Sequence, residues 1–480
     1  MPAASGKDYK ERLKKMKPEI WLNGEQVKDI TSHPAFSGVI ESKAKLYDMQ
    51  HDPLLQDLLT FKTGPDGNRA GTSFMRPLSK EDLEKRRFAA QEWAKTNAGL
   101  LGRSPEYMNT TVMAIGTAYD FFSDGSRKFG ENARSLYARA MEKDLCFTHT
   151  FINPQVNRSV TYFEDSEEVI AAQAIKETAD GIVIKGARLL ATQGGMTDEI
   201  LVLPSGGNFI AESYIYAFCI PADTPGLRFI CRESFSYSQN EFNHPLASRF
   251  EEMDAIVVFD NVLVPWDRII MFQNCEKAMG MFSEMHFNAL LLHQVLSRQI
   301  IKTEFILGVA QSLAEAIQVE EYFHIKHKIA DIILGLETFK ALLLASELNA
   351  KQDKRGTMVP EVNALDASKM LYAKLYPSYM EILQQIGASG MISIPQEADF
   401  LSEISSDVHT YLQAASMPAF ERVKLFRLAW DLSMSAFGTR QTQYERFFFG
   451  DPFRLATGLY NGYNKEPYVK RVNEFLSIRN

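Results

Sequence analysis

At 480 residues the chain exceeds what one ordinary hydrophobic core supports, so two or three domains are expected. Its 45% hydrophobic and 23% charged residues are the balance of a soluble globular protein, and its 32 Phe and 18 Tyr suit a pocket for a flat ring as well as packed cores. A net charge of −8 argues against nucleic acid or an anionic membrane as partner, since both need a basic face.

Residues 7–17 alternate Lys10, Arg12, Lys14, Lys15 and Lys17 with apolar positions and read as a solvated first helix. Ser79-Lys-Glu-Asp82 is a variant of the capping box, and Leu83, Phe88, Ala89, Trp93 and Ala94 follow at roughly helical spacing. Ser104-Pro105 offers an N-cap followed by Pro at the first helical position, ahead of Met108, Val112, Ile115 and Phe121. The period then changes. Short β-rich runs at 160–163, 182–184, 200–203, 214–218, 227–230 and 255–259, separated by Gly, Pro, Asp and Asn, predict an antiparallel sandwich or barrel. From about 275 to 350, and again over 361–385 and 420–437, amphipathic helical patterning returns, with Thr357-Met-Val-Pro360 as an inter-helix turn. The expected class is a multidomain α+β protein: an N-terminal helical domain (1–146), a middle antiparallel β-barrel or sandwich (147–272) and a C-terminal helical bundle (273–480).

Several chemistries lack their signatures. Neither a GxGxxG after a strand, nor a GxxxxGK[ST], nor a GxSxG elbow occurs. The four cysteines, at 146, 219, 231 and 275, form no close pair, so reduced thiols in a cytoplasmic protein are expected. No apolar h-region follows the basic start, and no stretch is long enough to span a bilayer. Glu321-x-x-His324 has the spacing of a di-iron ligand pair, but the other Glu-x-x-His, Glu241 to His244, precedes Pro245 in a loop-like stretch. No metal is therefore expected.

Arg103 and Tyr107 stand four residues apart at the expected helix start. Both could reach one point near a helix N-terminus, where anionic oxygen is favoured; a surface cation–aromatic contact is the plain alternative. His149, where the helical third meets the β third, is either a hydrogen-bonded core histidine or an acid–base group.

Five segments carry a resemblance. His149-Thr-Phe-Ile-Asn-Pro-Gln-Val-Asn-Arg158, Gly186-Ala-Arg-Leu-Leu-Ala-Thr192, His244-Pro-Leu-Ala-Ser-Arg-Phe-Glu-Glu-Met-Asp-Ala255, Asp260-Asn-Val-Leu-Val-Pro-Trp266 and Tyr444-Glu-Arg-Phe-Phe-Phe-Gly-Asp-Pro452 resemble, in order and over almost the whole chain, the 4-hydroxyphenylacetate 3-hydroxylase oxygenase components. The resemblance implies an acyl-CoA dehydrogenase-like fold, with the flavin ring between the β domain and the bundle. It implies FAD contacts at His149, Thr150, Phe151, Gln155, Val156, Asn157, Arg158 and Thr192. Gly438, Thr439, Arg440 and Gln441 resemble the Gly-Thr flavin loop of acyl-CoA dehydrogenases. The phenol is expected against Arg103, Ser104, Pro105, Glu106, Tyr107 and His149, with Ser205 and Gly206 near the place where the family holds the substrate carboxylate through two hydroxyl residues. Gly206 departs from that pattern and leaves room for simple phenols.

The implied activity is that of the oxygenase component of a two-component monooxygenase. Reduced FAD from a separate NAD(P)H-flavin reductase would react with O2 to a C4a-hydroperoxide. A phenol such as 4-hydroxyphenylacetate would then be hydroxylated ortho to give a catechol, with Arg103, Tyr107 and His149 as the catalytic trio. By the same resemblance the chain would be a homotetramer. Two enzymatic alternatives are weakened by single positions. A 4-hydroxybutyryl-CoA dehydratase branch carries cluster cysteines where this chain has Arg103, Tyr107 and Ile300, leaving the matching His293 as a structural remnant. An acyl-CoA dehydrogenase needs a carboxylate base where this chain has Phe437. A scaffold that binds no flavin is the non-enzymatic alternative.

Overall fold

Serine caps open the early helices. Ser5 and Ser79 each form a complete capping box, with Asp8 and Asp82 reaching back to the cap amide, ahead of Gly6–Lys15 and Lys80–Thr96. The computed structural model describes residues 3–64, 67–125, 127–154, 169–204, 211–236 and 240–477. Pro105 opens the helix Pro105–Thr117, whose residues 105–116 are all buried. Phe121 lies beyond it, on the short helix Tyr119–Phe122.

The β-rich part holds two sheets. The larger runs Glu25–Gln26, Glu19–Leu22, Leu227–Cys231, Asp254–Pro265, Gly181–Thr192, Gln173–Glu177; the smaller runs Ile269–Phe272, Tyr216–Pro221, Glu199–Val202, Phe147–Thr150. Asp254–Pro265 alternates buried Ala255, Val257 and Phe259 with more exposed positions, then resets through a bulge before Val262 and Val264. Phe218 of the smaller sheet meets Phe259 of the larger edge-on, ring centroids 6.2 Å apart. The order of helices, β layers and helices is as expected, but the sheets are not purely antiparallel. Glu19–Leu22 pairs parallel with Leu227–Cys231, and Phe147–Thr150 pairs parallel with Glu199–Val202. The Glu19–Gln26 hairpin was not expected: four residues next to a basic helix are too few for period to reveal. The run expected at 160–163 lies outside the described residues.

The bundle is organised by one long helix, Phe287–Ala316, in which every residue from 289 to 303 is buried. A helix buried on all sides is central; it packs on Lys80–Thr96, Pro105–Thr117, Phe323–Leu348 and Val362–Gly387. Gly99, at φ +68°, lets the loop before Arg103 approach this helix, since a Cβ there would lie 2.7 Å from the Lys302 Cβ. A short hairpin, Lys351–Gln352 with Met358–Val359, forms at the expected inter-helix turn. The last two helices, Pro452–Gly462 and Glu466–Phe475, bury no residue.

Candidate active site

Arg103 sits one residue ahead of the Ser104 cap. Its backbone N–H donates to Glu252 Oε1 at 2.7 Å. Its guanidinium carbon lies 4.2 Å from the Tyr107 ring centre, 4.3 Å from that of Phe448 and 5.4 Å from that of Tyr444. The cation is thus surrounded by aromatic rings, an arrangement whose attraction grows on desolvation. His149 comes from the fully buried strand Phe147–Thr150 and meets Tyr107 edge-on at 5.8 Å, and the Phe151 ring lies 5.1 Å from it. The structure therefore brings Arg103, Tyr107 and His149 together.

Polar atoms in this cluster are left over. Arg103 Nε and Nη1, His149 Nε2 and the Tyr444 hydroxyl are buried without a hydrogen-bond partner among the described residues. Each such atom costs about 1–3 kcal/mol unless something fills the site. Burial, reinforced by the Arg103 charge, pushes His149 down to about 3, so its imidazole is neutral near pH 7. The ring keeps a backbone hydrogen bond, while its Nε2 has no partner among the described residues. Burial raises the Tyr107 hydroxyl, with Arg103 opposing it, so Tyr107 is a neutral donor.

Ser104, Pro105 and Glu106 make further contacts of their own. The Ser104 hydroxyl donates to Glu106 Oε1 at 2.6 Å instead of capping its helix. Pro105 and Glu106 line an interior cavity shared with Gln50, Ser73, Asn109 and Asp144, to which Arg103, Tyr107 and His149 do not contribute. Burial pushes Glu106 up to about 7. Gln155, Val156, Asn157, Arg158, Ser205 and Gly206 lie outside the described residues.

The Thr150 hydroxyl donates to the Leu189 carbonyl at 2.7 Å, and the Thr192 hydroxyl donates to Asp254 Oδ1 at 2.8 Å. Gly438, Thr439, Arg440 and Gln441 are not a loop. They form the first turns of the helix Ala436–Phe447, because Ser435 accepts the Gly438 N–H and caps it. Gly438 is needed there: a Cβ would lie 2.5 Å from the Leu432 carbonyl oxygen. Thr439 is exposed, Arg440 pairs with Asp254 at 2.7 Å and Glu252 at 3.2 Å, and Gln441 is buried between Lys302 and the Leu100 carbonyl.

Period and spacing did not reveal four residues that shape this site: Glu252, Asp254, Tyr444 and Phe448. Their only signal was membership of the segments 244–255 and 444–452. The helix carrying Tyr444 is anchored from below, where Glu445 accepts from Arg298 and Lys302, both at 2.8 Å. These partners hold the Glu445 carboxyl well below its usual range, while burial pushes Lys302 down to about 8. His293 is buried 2.8 Å from Glu347, which also pairs with Arg87, so it ties helices together. Among the described residues no group of three or more His, Cys, Asp or Glu could hold a metal ion.

Residues 5–271 match the family described as 4-hydroxyphenylacetate 3-hydroxylase N terminal, and residues 278–477 the corresponding C terminal family. The chain is 49% identical over 477 residues to a Bacillus subtilis (strain 168) protein named probable 4-hydroxyphenylacetate 3-monooxygenase, covering 99% of each. It is 47% identical to the 4-hydroxyphenylacetate 3-monooxygenase oxygenase component of Geobacillus sp. (strain PA-9), over 99% of this chain and 97% of that one. A crystal structure of the oxygenase component (HpaB) of 4-hydroxyphenylacetate 3-monooxygenase, complexed with FAD and 4-hydroxyphenylacetate, superposes with a TM-score of 0.95 at 44% identity, covering 99% of this chain and 98% of that one. With both halves matched and the fold shared end to end, the chain belongs to the 4-hydroxyphenylacetate 3-hydroxylase family.

Proposed function

We propose that this protein is the oxygenase component of a two-component, FADH2-dependent monooxygenase that hydroxylates 4-hydroxyphenylacetate or a related phenol, ortho to its hydroxyl, to a catechol. The observation that carries the reading is the convergence of Arg103, Tyr107 and His149, with buried polar atoms on Arg103 and His149 left unpartnered among the described residues. A phenol oxygen would satisfy them.

The chain's own residues suit that task. Arg103 supplies a fixed positive charge and Tyr107 a neutral donor, which together favour phenolate character on a bound hydroxyl. His149 remains the acid–base candidate of the trio, and its neutral imidazole can accept a hydrogen bond from the phenol hydroxyl at Nε2 and orient it. The three side chains are buried, which keeps water from the reacting ring. FAD would be held by His149, Thr150, Phe151 and Thr192, with Gln155, Val156, Asn157 and Arg158, and by the turn at Gly438, Thr439, Arg440 and Gln441. When bound and reduced, the flavin supplies the activation of O2. The phenol would rest on Arg103, Tyr107 and His149 and on the segment Ser104, Pro105 and Glu106 between the first two, with Ser205 and Gly206 at its far end.

Reduced FAD would come from a separate NAD(P)H-flavin reductase, in keeping with the relatives' name as oxygenase components. A cytoplasmic location fits the four free cysteines. A homotetramer suits the exposed apolar side chains on the terminal helices and on Phe323–Leu348, among them Phe453, Phe475, Phe323 and Leu334.

The test is direct. The protein is supplied with enzymatically reduced FAD, O2 and a panel of 4-hydroxyphenylacetate, phenol, 4-chlorophenol and p-coumarate. Catechol formation without added metal is expected; no catechol from any member sinks the reading.

A further inference from the structure

Arg103 has an unusual anchorage. Its side chain is surrounded by rings, while Nε and Nη1 find no hydrogen-bond partner among the described residues. Rings resist tilting of a guanidinium but do not fix where it lies along their faces. Tyr107 adds a side-chain hydrogen bond to the guanidinium, and the backbone that carries it is held by Glu252, whose Oε1 accepts the Arg103 N–H at 2.7 Å.

Glu252 is fully buried and takes donors from three distant parts of the chain. Oε1 accepts the Arg103 N–H and Gln193 Nε2, the latter at 3.0 Å, while Oε2 accepts Arg440 Nη1 at 3.2 Å. The turn that presents it is clamped. Met253 adopts a left-handed φ of +46°, and the Gln193 N–H reaches both the Glu252 and Met253 carbonyl oxygens, at 3.0 and 2.8 Å. Two residues on, Asp254 accepts Thr192 at 2.8 Å and Arg440 at 2.7 Å. One turn thus carries two carboxyl groups. The first holds the phenol segment, the second holds two residues of the expected flavin segments, and Arg440 bridges both.

We propose that Glu252 is a positioning residue: through the Arg103 N–H it fixes the guanidinium for phenol binding, in register with the flavin side of the cleft. The proposal deepens, and rests on, the phenol hydroxylase reading above. A plain structural ion pair with Arg440 is the rival account, and the two bonds can be separated. Glu252→Gln keeps a carboxamide oxygen for the Arg103 N–H but loses the charge that pairs with Arg440. Glu252→Asp keeps the charge but withdraws it by one methylene from the amide.

The experiment uses the full chain as wild type and as E252Q, E252D and E252A. Two readouts are taken: steady-state KM and kcat for the phenol with reduced FAD, and amide hydrogen exchange of the segment 99–107. E252D and E252A should raise KM about tenfold or more with kcat within about threefold, and should speed exchange at 99–107 about tenfold relative to the rest of the chain. E252Q should keep KM and exchange within about twofold of wild type. An equal change in all three variants, a loss in kcat alone, or an unaltered E252D overturns the proposal. If E252A does not fold, the E252D and E252Q pair decides. A wild type that makes no catechol counts against the hydroxylase reading, while the exchange pattern still decides whether Glu252 holds Arg103.

Discussion

Tyr107 presents its ring edge to His149 across the junction of helix and strand, with ring centroids 5.8 Å apart and planes at 63°. Neither residue is charged near pH 7, because burial raises one and lowers the other. Arg103 is therefore the formal charge within this trio, and the remaining pair offers one neutral hydroxyl and one neutral imidazole as hydrogen-bonding groups.

His149→Ala should lower coupled catechol formation by about 10²- to 10⁴-fold, the usual contribution of a positioned acid–base group. Unchanged catechol yield per reduced FAD would remove His149 from the chemistry. The same residue has a stability signature. Its folded value is depressed to about 3, so between there and its ordinary value the unfolded chain binds more protons. The stability it contributes is full above about pH 6.5 and is lost as pH falls toward 3, at about 1.4 kcal/mol per pH unit. Urea midpoints of wild type and His149→Gln from pH 7 to 4 should converge on the acid side.

Arg103→Ala should weaken phenol binding about 10- to 100-fold, the cost of losing a charge-assisted hydrogen bond of about 1.5–3 kcal/mol. Arg103→Lys should not restore it. The site between Tyr107 and Phe448 fits a planar guanidinium, and a compact ammonium neither stacks there nor keeps its hydration. Calorimetric titration with 4-hydroxyphenylacetate checks both variants; wild-type affinity in Arg103→Lys would show that charge alone suffices.

Glu106 makes the opposite prediction to His149. Burial raises its carboxyl to about 7, so the folded chain holds a proton that the unfolded chain releases above about pH 4.5. Its stabilising share is present below pH 4.5 and is lost as pH rises through 7. Glu106→Gln should therefore gain on wild type between pH 5 and 8, by about 3 kcal/mol at most. Parallel melting curves at the two ends would expose a Glu106 that is ionised throughout.

Much of the architecture was legible in hydrophobic period. Helical spacing over the first third, short β-rich runs through the middle and long amphipathic stretches afterwards correspond to the observed order of elements, because burying one face imposes that face's period on the chain. The Ser79 box and Pro105 were legible for the same local reason: caps are satisfied within four residues. The parallel pairing of Phe147–Thr150 with Glu199–Val202 was not, since register between distant strands is a matter of tertiary contact. Nor was the helical turn at Gly438, where the Ser435 cap overrode the loop suggested by analogy.

The chemistry divides in the same way. Residue types set the available groups: a permanent cation at 103, a phenol side chain at 107, an imidazole at 149, and no thiolates at 103 or 107 to bind a cluster. Those identities are local facts of the chain. Their state and alignment were decided by folding alone. The neutrality of His149 comes from burial beside Arg103, the enclosure of that guanidinium from Phe448 and Tyr444, and the anchorage of its backbone from Glu252. Desolvation and hydrogen bonding act through space, so residues far apart in the chain set them.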